Sequence, residues 1–271
     1  MHTEGDAAAP GQPWFALVIG NSRLHWGRFV GDALQATWDE AHWQPAAGKD
    51  FEQHVVAKLG SLERSLWIAS VVPAQSNLWA KHPHAQFLTL DQVPLQGLYP
   101  TLGIDRALAV WGAIALIGSP ALVIDCGTAL TFTGADAQHH LVGGAILPGL
   151  RLQFEALGQN TALLPTLSTA SRPVSLPPYW AQNTQDAIAS GILHTVTAGI
   201  QAFIQAWWQH YPESPIVMTG GDSHLLYHCL QALTPEVANQ VILDNHLIFQ
   251  AICTIKTLKE AEKGHQAKGS R

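Results

Sequence analysis

Apolar residues fall into short dense runs in the first half of the chain and into longer helical periods in the second. WFALVIG, residues 14–20, is a run closed by Gly20 and Asn21, and RLHWGRFV, 23–30, then sets Leu24, Trp26 and Phe29 in imperfect alternation with polar neighbours. Such a pair predicts a strand hairpin. SLWIASVVP, 65–73, predicts another buried strand, stopped by Pro73 because proline brings no N–H to a ladder. DRALAVWGAIALI, 105–117, is apolar around most of a helical circumference and predicts a helix buried on more than one side. ALVID, 121–125, predicts a core strand through its β-branched residues. TALTFTGAD, 128–136, and HHLVGGAILPG, 139–149, continue as strands with turns between them. The pattern then turns helical over 150–164, 184–211 and 224–233, interrupted by the strand SPIVMTGGD, 214–222, which ends at a Gly-Gly turn.

Two stretches read alike. ALVIGNSRLHWGRF, 16–29, and ALVIDCGTALTFTG, 121–134, each run from an apolar strand through a small glycine loop into more strand. Their offset makes the likeness a repeat of domain size, and the chain reads as two α/β halves. The expected boundaries are a flexible tail over 1–13, one half over 14–118, a second over 119–258, and a frayed, charged tail over 259–271. The copies differ at one position: Asp125 stands two residues before Gly127, whereas Val18 stands two before Gly20.

Composition narrows the partners. A net charge of -6 with 14 Lys plus Arg in 271 residues leaves no basic face for general nucleic-acid binding. Cys126, Cys229 and Cys253 lie far apart without CxxC spacing, so neither a disulfide framework nor a zinc site is expected. The first 13 residues lack the basic start and apolar stretch of a secretory signal, and no uninterrupted apolar run is long enough to span a bilayer. A cytoplasmic protein without a membrane partner is expected.

Candidate chemistry gathers at the glycine loops. GNSR, 20–23, and DCGTALT, 125–131, can turn backbone N–H groups and hydroxyls toward a phosphate, and TGGD, 219–222, offers a third such surface. Each alone is also compatible with an ordinary turn. Asp125, at the end of an apolar strand, suits a hard cation or a turn cap. In GIDRALA, Asp105 is either the N-cap of the following helix or a proton acceptor, and Arg106 can hold an anionic group. His224 and His228 have metal-binding spacing on a helix, but an exposed helical face explains them as well. His139 and His140 fit a strand turn, and Trp207 with Trp208 a packed helix face.

Taken together, GNS at 20–22, SVVP at 70–73, GIDR at 103–106, DCGTALT at 125–131, GGAILPG at 143–149, TALLP at 161–165, NTQDAIASG at 183–191 and TGG at 219–221 resemble the type III pantothenate kinase family. The resemblance implies two RNase H-like halves of the acetate kinase, sugar kinase, Hsp70 and actin superfamily around a central cleft. It implies ATP-dependent phosphorylation of pantothenate, the first step of coenzyme A synthesis, by a homodimer using a monovalent cation (K⁺ or NH₄⁺) and Mg²⁺. By motif position, Asp105 is the implied catalytic proton acceptor. Tyr99, Gly103, Ile104, Asp105, Arg106 and Thr184 are the implied pantothenate contacts, Gly20, Asn21, Ser22, Arg23 and Thr128 the ATP contacts, and Asp125 the cation ligand. The chain departs from the family's first loop, DxGNT, by Val18 and Ser22, and from a further aspartate at Thr133. A catalytically weakened accessory or regulatory protein on the same scaffold is the alternative that Val18 keeps open, and a superfamily kinase for a sugar or carboxylate is a third.

Overall fold

In the computed structural model, which describes residues 11–44, 50–161, 163–165 and 176–269, the first predicted hairpin forms. β1 (Pro13–Ile19) pairs antiparallel with β2 (Leu24–Val30), Ile19 opposite Leu24. β2 turns through Gly31, at φ 58°, into β3 (Ala33–Glu40), a strand the hydrophobic pattern did not predict. β3 lies at the sheet edge and is largely exposed, so it needs no apolar alternation. α1 (Phe51–Leu59) also went unpredicted; Asp50 caps its start by accepting the Glu52 N–H, and Gly60 ends it at φ 79°. β4 (Leu66–Ser70) is parallel to β1 and stops before Pro73 as expected. That proline then opens α2 (Pro73–Trp79), where its missing N–H costs nothing. β5 (Ala85–Phe87) completes the sheet in the order β3-β2-β1-β4-β5.

α3 (Ile104–Ile117) follows, with nine of its residues buried. β6 (Ala121–Cys126), β7 (Ala129–Ala135) and β8 (Leu141–Pro148) then form an antiparallel meander. α4 (Leu150–Gln159) is shorter than the stretch to residue 164 that its pattern suggested, ending at Asn160. α5 (Thr184–His210) is followed by β9 (Ile216–Thr219), α6 (Ser223–Leu233), the short α7 (Pro235–Ala238), β10 (Val241–Leu243) and α8 (Leu247–Gly269). The second sheet runs β10-β9-β6-β7-β8. In each sheet the first strand has an antiparallel hairpin partner on one side and a parallel strand on the other. The two sheets share one topology, so the repeat read from the ALVI segments is a repeat of fold.

The units are not the two continuous halves expected. One is built from the N-terminal segment through Pro94, from Tyr99–Ala115 and from Ile248 onward; the other from Leu95–Leu98 and Leu116–Leu247. Residues 95–98 join the second unit because Gln96 bridges to His140. The segment expected as a frayed tail from 259 continues α8 as helix to Gly269. Lys256 and Lys259 of this helix lie over the rings of Trp14 and Trp67, aromatic faces that attract cations and anchor a charged helix in the first unit. The expected N-terminal tail lies mostly outside the described residues.

Each unit has its own core. In the first, Leu17, Ile19, Trp26, Ile68 and Trp79 are fully buried, and Trp26 meets Trp79 edge to face at 5.1 Å. In the second, α5 supplies Ile188, Ile192, Leu193, Val196, Ile200, Ile204 and Trp207 beside Ile124, Phe132 and Met218. α5 is also long and apolar enough to cross a membrane by composition, and half of its most apolar window is buried in the protein. Trp207 and Trp208 do form a packed face: their indole N–H groups donate to the Ser214 hydroxyl at 2.6 Å and carbonyl at 2.9 Å. The Trp207 ring fills the space over Gly134, where an added Cβ would come within 2.4 Å of it. Gly134→Ala is therefore expected to cost about 1–3 kcal/mol, read by urea unfolding; an unchanged midpoint would show that the ring has room to move.

Candidate functional site

The hairpin turn between β6 and β7 is built against two glycines. The Gly149 N–H donates to the Thr128 carbonyl at 3.0 Å, and the Asp222 N–H to the Cys126 carbonyl at 3.0 Å. A Cβ on Gly149 would stand 2.2 Å from the Gly127 oxygen, and one on Gly220 would stand 2.5 Å from Asp125 Oδ1. Gly220 is moreover at φ 91°, a conformation other residues rarely adopt. Three loops, 125–128, 148–149 and 219–222, thus meet backbone to backbone.

Asp125 lies at the centre of this meeting. Its cross-strand neighbours are Thr131 on β7 and Thr219 on β9, both buried, and directly opposed residues share a face of the sheet. The carboxylate therefore stands in a row of polar neighbours across the sheet. Burial pushes the Cys126 thiol well above its usual value, and the charges of Asp125 and Asp222 add to this, so two carboxylates bear on one strand end. The all-oxygen set of carboxylates, hydroxyls and carbonyls is the kind that hard cations take. Among the described residues no group of three or more His, Cys, Asp and Glu side chains is close enough to hold a metal by side chains alone.

The matching turn of the first unit is Gly20–Arg23, closed by the Gly20 N–H donating to the Arg23 carbonyl at 3.0 Å. Asn21, Ser22 and Arg23 are exposed. Val18, 6% exposed, has Ala69 and His25 as its cross-strand neighbours. The position equivalent to Asp125 thus lies in an apolar row with one imidazole beside it.

Tyr99, Gly103, Ile104, Asp105 and Arg106 come together at the start of α3. Asp105 Oδ1 accepts the Arg106 N–H at 2.8 Å, so the carboxylate helps satisfy the free N–H groups of the first turn. A Cβ on Gly103 would stand 2.4 Å from Asp105 Oδ1, so glycine is what lets the carboxylate lie there. Arg106 is buried, and its Nη1 donates to the Tyr99 hydroxyl at 3.0 Å. Val71 ties the two loops of this unit together: its N–H donates to the Ile19 carbonyl at 3.1 Å, and its Cγ1 stands 4.0 Å from the Cβ position of Gly103. Burial raises the proton affinity of Asp105, partly offset by the Arg106 N–H and the Arg106 charge.

Thr184 belongs to the second unit. It is exposed at the first turn of α5, after the Asn183 cap that accepts the Asp186 N–H at 2.9 Å. It borders a cavity of about 650 Å³ lined by Leu157, Leu164, Gln182, Ala187, Ile188 and Ile192 among others. The TALLP stretch contributes Leu164 here, while its Ala162 lies outside the described residues. His224 and His228 are on an exposed face of α6, and His139 and His140 in a turn before β8, at the plain end of their expectations. Sequence reading missed Thr131, Asp222, His25 and Asp39 as neighbours of the loops. Thr131 and Asp222 stand inside motifs already singled out, but Asp39 lies on an exposed edge strand without any local signal.

The folded protein holds the Asp105 proton to higher pH than an unfolded chain, whose aspartates titrate near 3.8. It binds more protons than the unfolded state across that window, so this group's contribution to stability is full below about 3.8 and falls as pH rises through the folded value. Asp105→Asn is expected to be more stable than the parent at pH 7, with the gain fading toward pH 3.5; denaturant titrations across pH measure it, and a parent that is the more stable at pH 7 would contradict the assignment.

The profile of a family described as type III pantothenate kinase matches residues 14–206. A type III pantothenate kinase of Nostoc sp. is 45% identical over 259 residues, covering 89% of this chain and 94% of the relative. One from a Synechococcus sp. is 43% identical over 245 residues, covering 90% and 93%. Among solved structures, a conserved putative Baf family transcriptional activator from Campylobacter jejuni superposes with a TM-score of 0.60 at 19% identity, covering 91% of this chain and 99% of that one. MreB 5 of Spiroplasma citri bound to AMPPNP superposes with 0.53 at 11% identity, covering 94% and 99%. At such identities the structural likeness is one of fold alone.

Proposed function

Since the chain belongs to the type III pantothenate kinase family, we propose how its own residues carry that family's reaction. The protein phosphorylates pantothenate with ATP to give 4'-phosphopantothenate, the first step of coenzyme A biosynthesis. The observation that carries the residue assignment is the carboxylate of Asp105, partly buried with raised proton affinity and held by the Arg106 N–H.

In this reading the hydroxyl oxygen of pantothenate bonds to the γ-phosphorus while the bond to the β–γ bridging oxygen breaks. The hydroxyl proton passes to Asp105, and ADP leaves. A carboxylate whose proton affinity is lifted is a stronger base for that proton than an ordinary one. Arg106 holds the carboxylate of pantothenate, steadied by Tyr99; Gly103 and Ile104 line the same place, and Thr184 adds a contact from α5. Gly20, Asn21, Ser22 and Arg23 receive phosphates of ATP through backbone N–H groups and short side chains, and Thr128 does so from the second turn. Phosphoryl transfer depends on such placement and charge neutralisation more than on covalent chemistry.

Asp125 is the residue assigned to a monovalent cation, K⁺ or NH₄⁺, and its neighbours Thr131 and Thr219 suit an oxygen-coordinated ion. Such an ion would supply positive charge beside the phosphates, and Mg²⁺ would travel with ATP. The protein acts as a cytoplasmic homodimer; Trp180, 92% exposed, and Leu163, 94% exposed, are apolar surfaces that a second copy would cover.

Asp105→Asn is expected to lower kcat by about 10²-fold or more while ATP still binds, measured as pantothenate-dependent ADP release. Near-normal turnover would remove Asp105 from the base role. The same assay without K⁺ and NH₄⁺ is expected to lose most activity, and Asp125→Ala to make the remainder indifferent to added K⁺; a K⁺ response that survives in this variant would place the ion elsewhere.

A further inference from the structure

The first turn carries an ionisable group that the assigned contacts leave out. His25, opposite Val18 on β2, places Nδ1 2.7 Å from Asp39 Oδ1. A carboxylate oxygen only accepts, so Nδ1 carries the hydrogen. The other nitrogen, Nε2, stands 3.6 Å from the Cβ position of Gly20, over the turn itself. Asp39 Oδ2 is 3.6 Å from Arg23 Nη1. His42 donates from Nε2 to the Gly20 carbonyl at 2.8 Å, engaging an oxygen that would otherwise repel an anion.

Charge decides what this arrangement does. Arg23 and Asp39 offset one another, and His42 turns its Nε2 to the Gly20 carbonyl, so among these imidazoles His25 is the one that holds a ring nitrogen over the turn with no hydrogen to donate while neutral. Its ring is 42% exposed and open to a ligand. With Nδ1 bonded to Asp39, a neutral ring presents only the Nε2 lone pair, which repels phosphate oxygens. A protonated ring presents an N–H and a full charge, the stronger kind of phosphate contact. We propose that His25, oriented by Asp39, is a phosphate ligand of the ATP site, and that binding of the triphosphate is coupled to uptake of a proton by this imidazole.

The proposal rests on Gly20–Arg23 being a phosphate loop. The proton comes from solvent and goes to Nε2, and no covalent bond changes.

Calorimetry of Mg²⁺ with a non-hydrolysable ATP analogue, at pH 8 in two buffers of different ionisation enthalpy, reads both affinity and proton uptake. The parent is expected to take up a measurable fraction of a proton with the analogue and none with adenosine. His25→Gln is expected to bind the analogue about threefold to tenfold more weakly without uptake. His25→Lys, a permanent cation, is expected to recover affinity, also without uptake. Uptake that persists in His25→Gln, or equal uptake with adenosine, overturns the proposal. Gly20→Leu fills the space under Nε2 and separates the two readings: if it binds the analogue as the parent does, the loop assignment itself has failed. If Gly20→Leu loses binding while His25→Gln keeps parental affinity and uptake, the loop stands and His25 is overturned.

Discussion

At the end of β6 the turn at Gly127 packs against Gly149 and Gly220 with no side chain between the backbones. Much of the second unit's site follows from that closeness. It sets where Asp125 lies, since a Cβ on Gly220 would occupy its carboxylate, and it brings Asp222 to the same strand end. The start of α3 obeys the same rule in the first unit, where the absence of a side chain at Gly103 gives Asp105 its room. Close backbone approach costs conformational entropy at each glycine. Here it places two carboxylates with little freedom to drift.

The duplicated sheet shows what a shared topology leaves free. β1 and β6 occupy equivalent positions, but the rows crossing them differ: Val18 lies between His25 and Ala69, Asp125 between Thr131 and Thr219. A carboxylate in the first row would face an apolar neighbour and one imidazole; in the second it faces two hydroxyls. Burying a charge is tolerable only with polar partners. A valine in the first copy and an acid in the second therefore agree with the residues on the adjacent strands.

The expected outline of the fold was readable because strand and helix periods are local. The β1–β2 hairpin, β4, α3, β6 to β8, α5, β9 and α6 appear where pattern put them. β3 was not legible because an edge strand buries too little to need alternation, and α8 because lysines break up its apolar pattern, of which Lys256 and Lys259 lie over the rings of Trp14 and Trp67. α4 ended early because Asn160 closes it.

By itself the sequence determined the duplicated strand-loop-strand plan and the order of the motifs, and it marked Asp105, Arg106 and Asp125 as candidates for chemistry. These are properties of residue type and short spacing. Tertiary structure alone decided that residues 95–98 and 248 onward join units other than their sequence neighbours, that Thr131 and Thr219 flank Asp125, and that Asp39 reaches from an edge strand to hold His25 over the first turn. The reason is register: which side chains stand opposite one another is fixed by the geometry of each turn and by the pairing of separate segments such as β6 with β9, and a shift of one residue would turn every side chain to the other face.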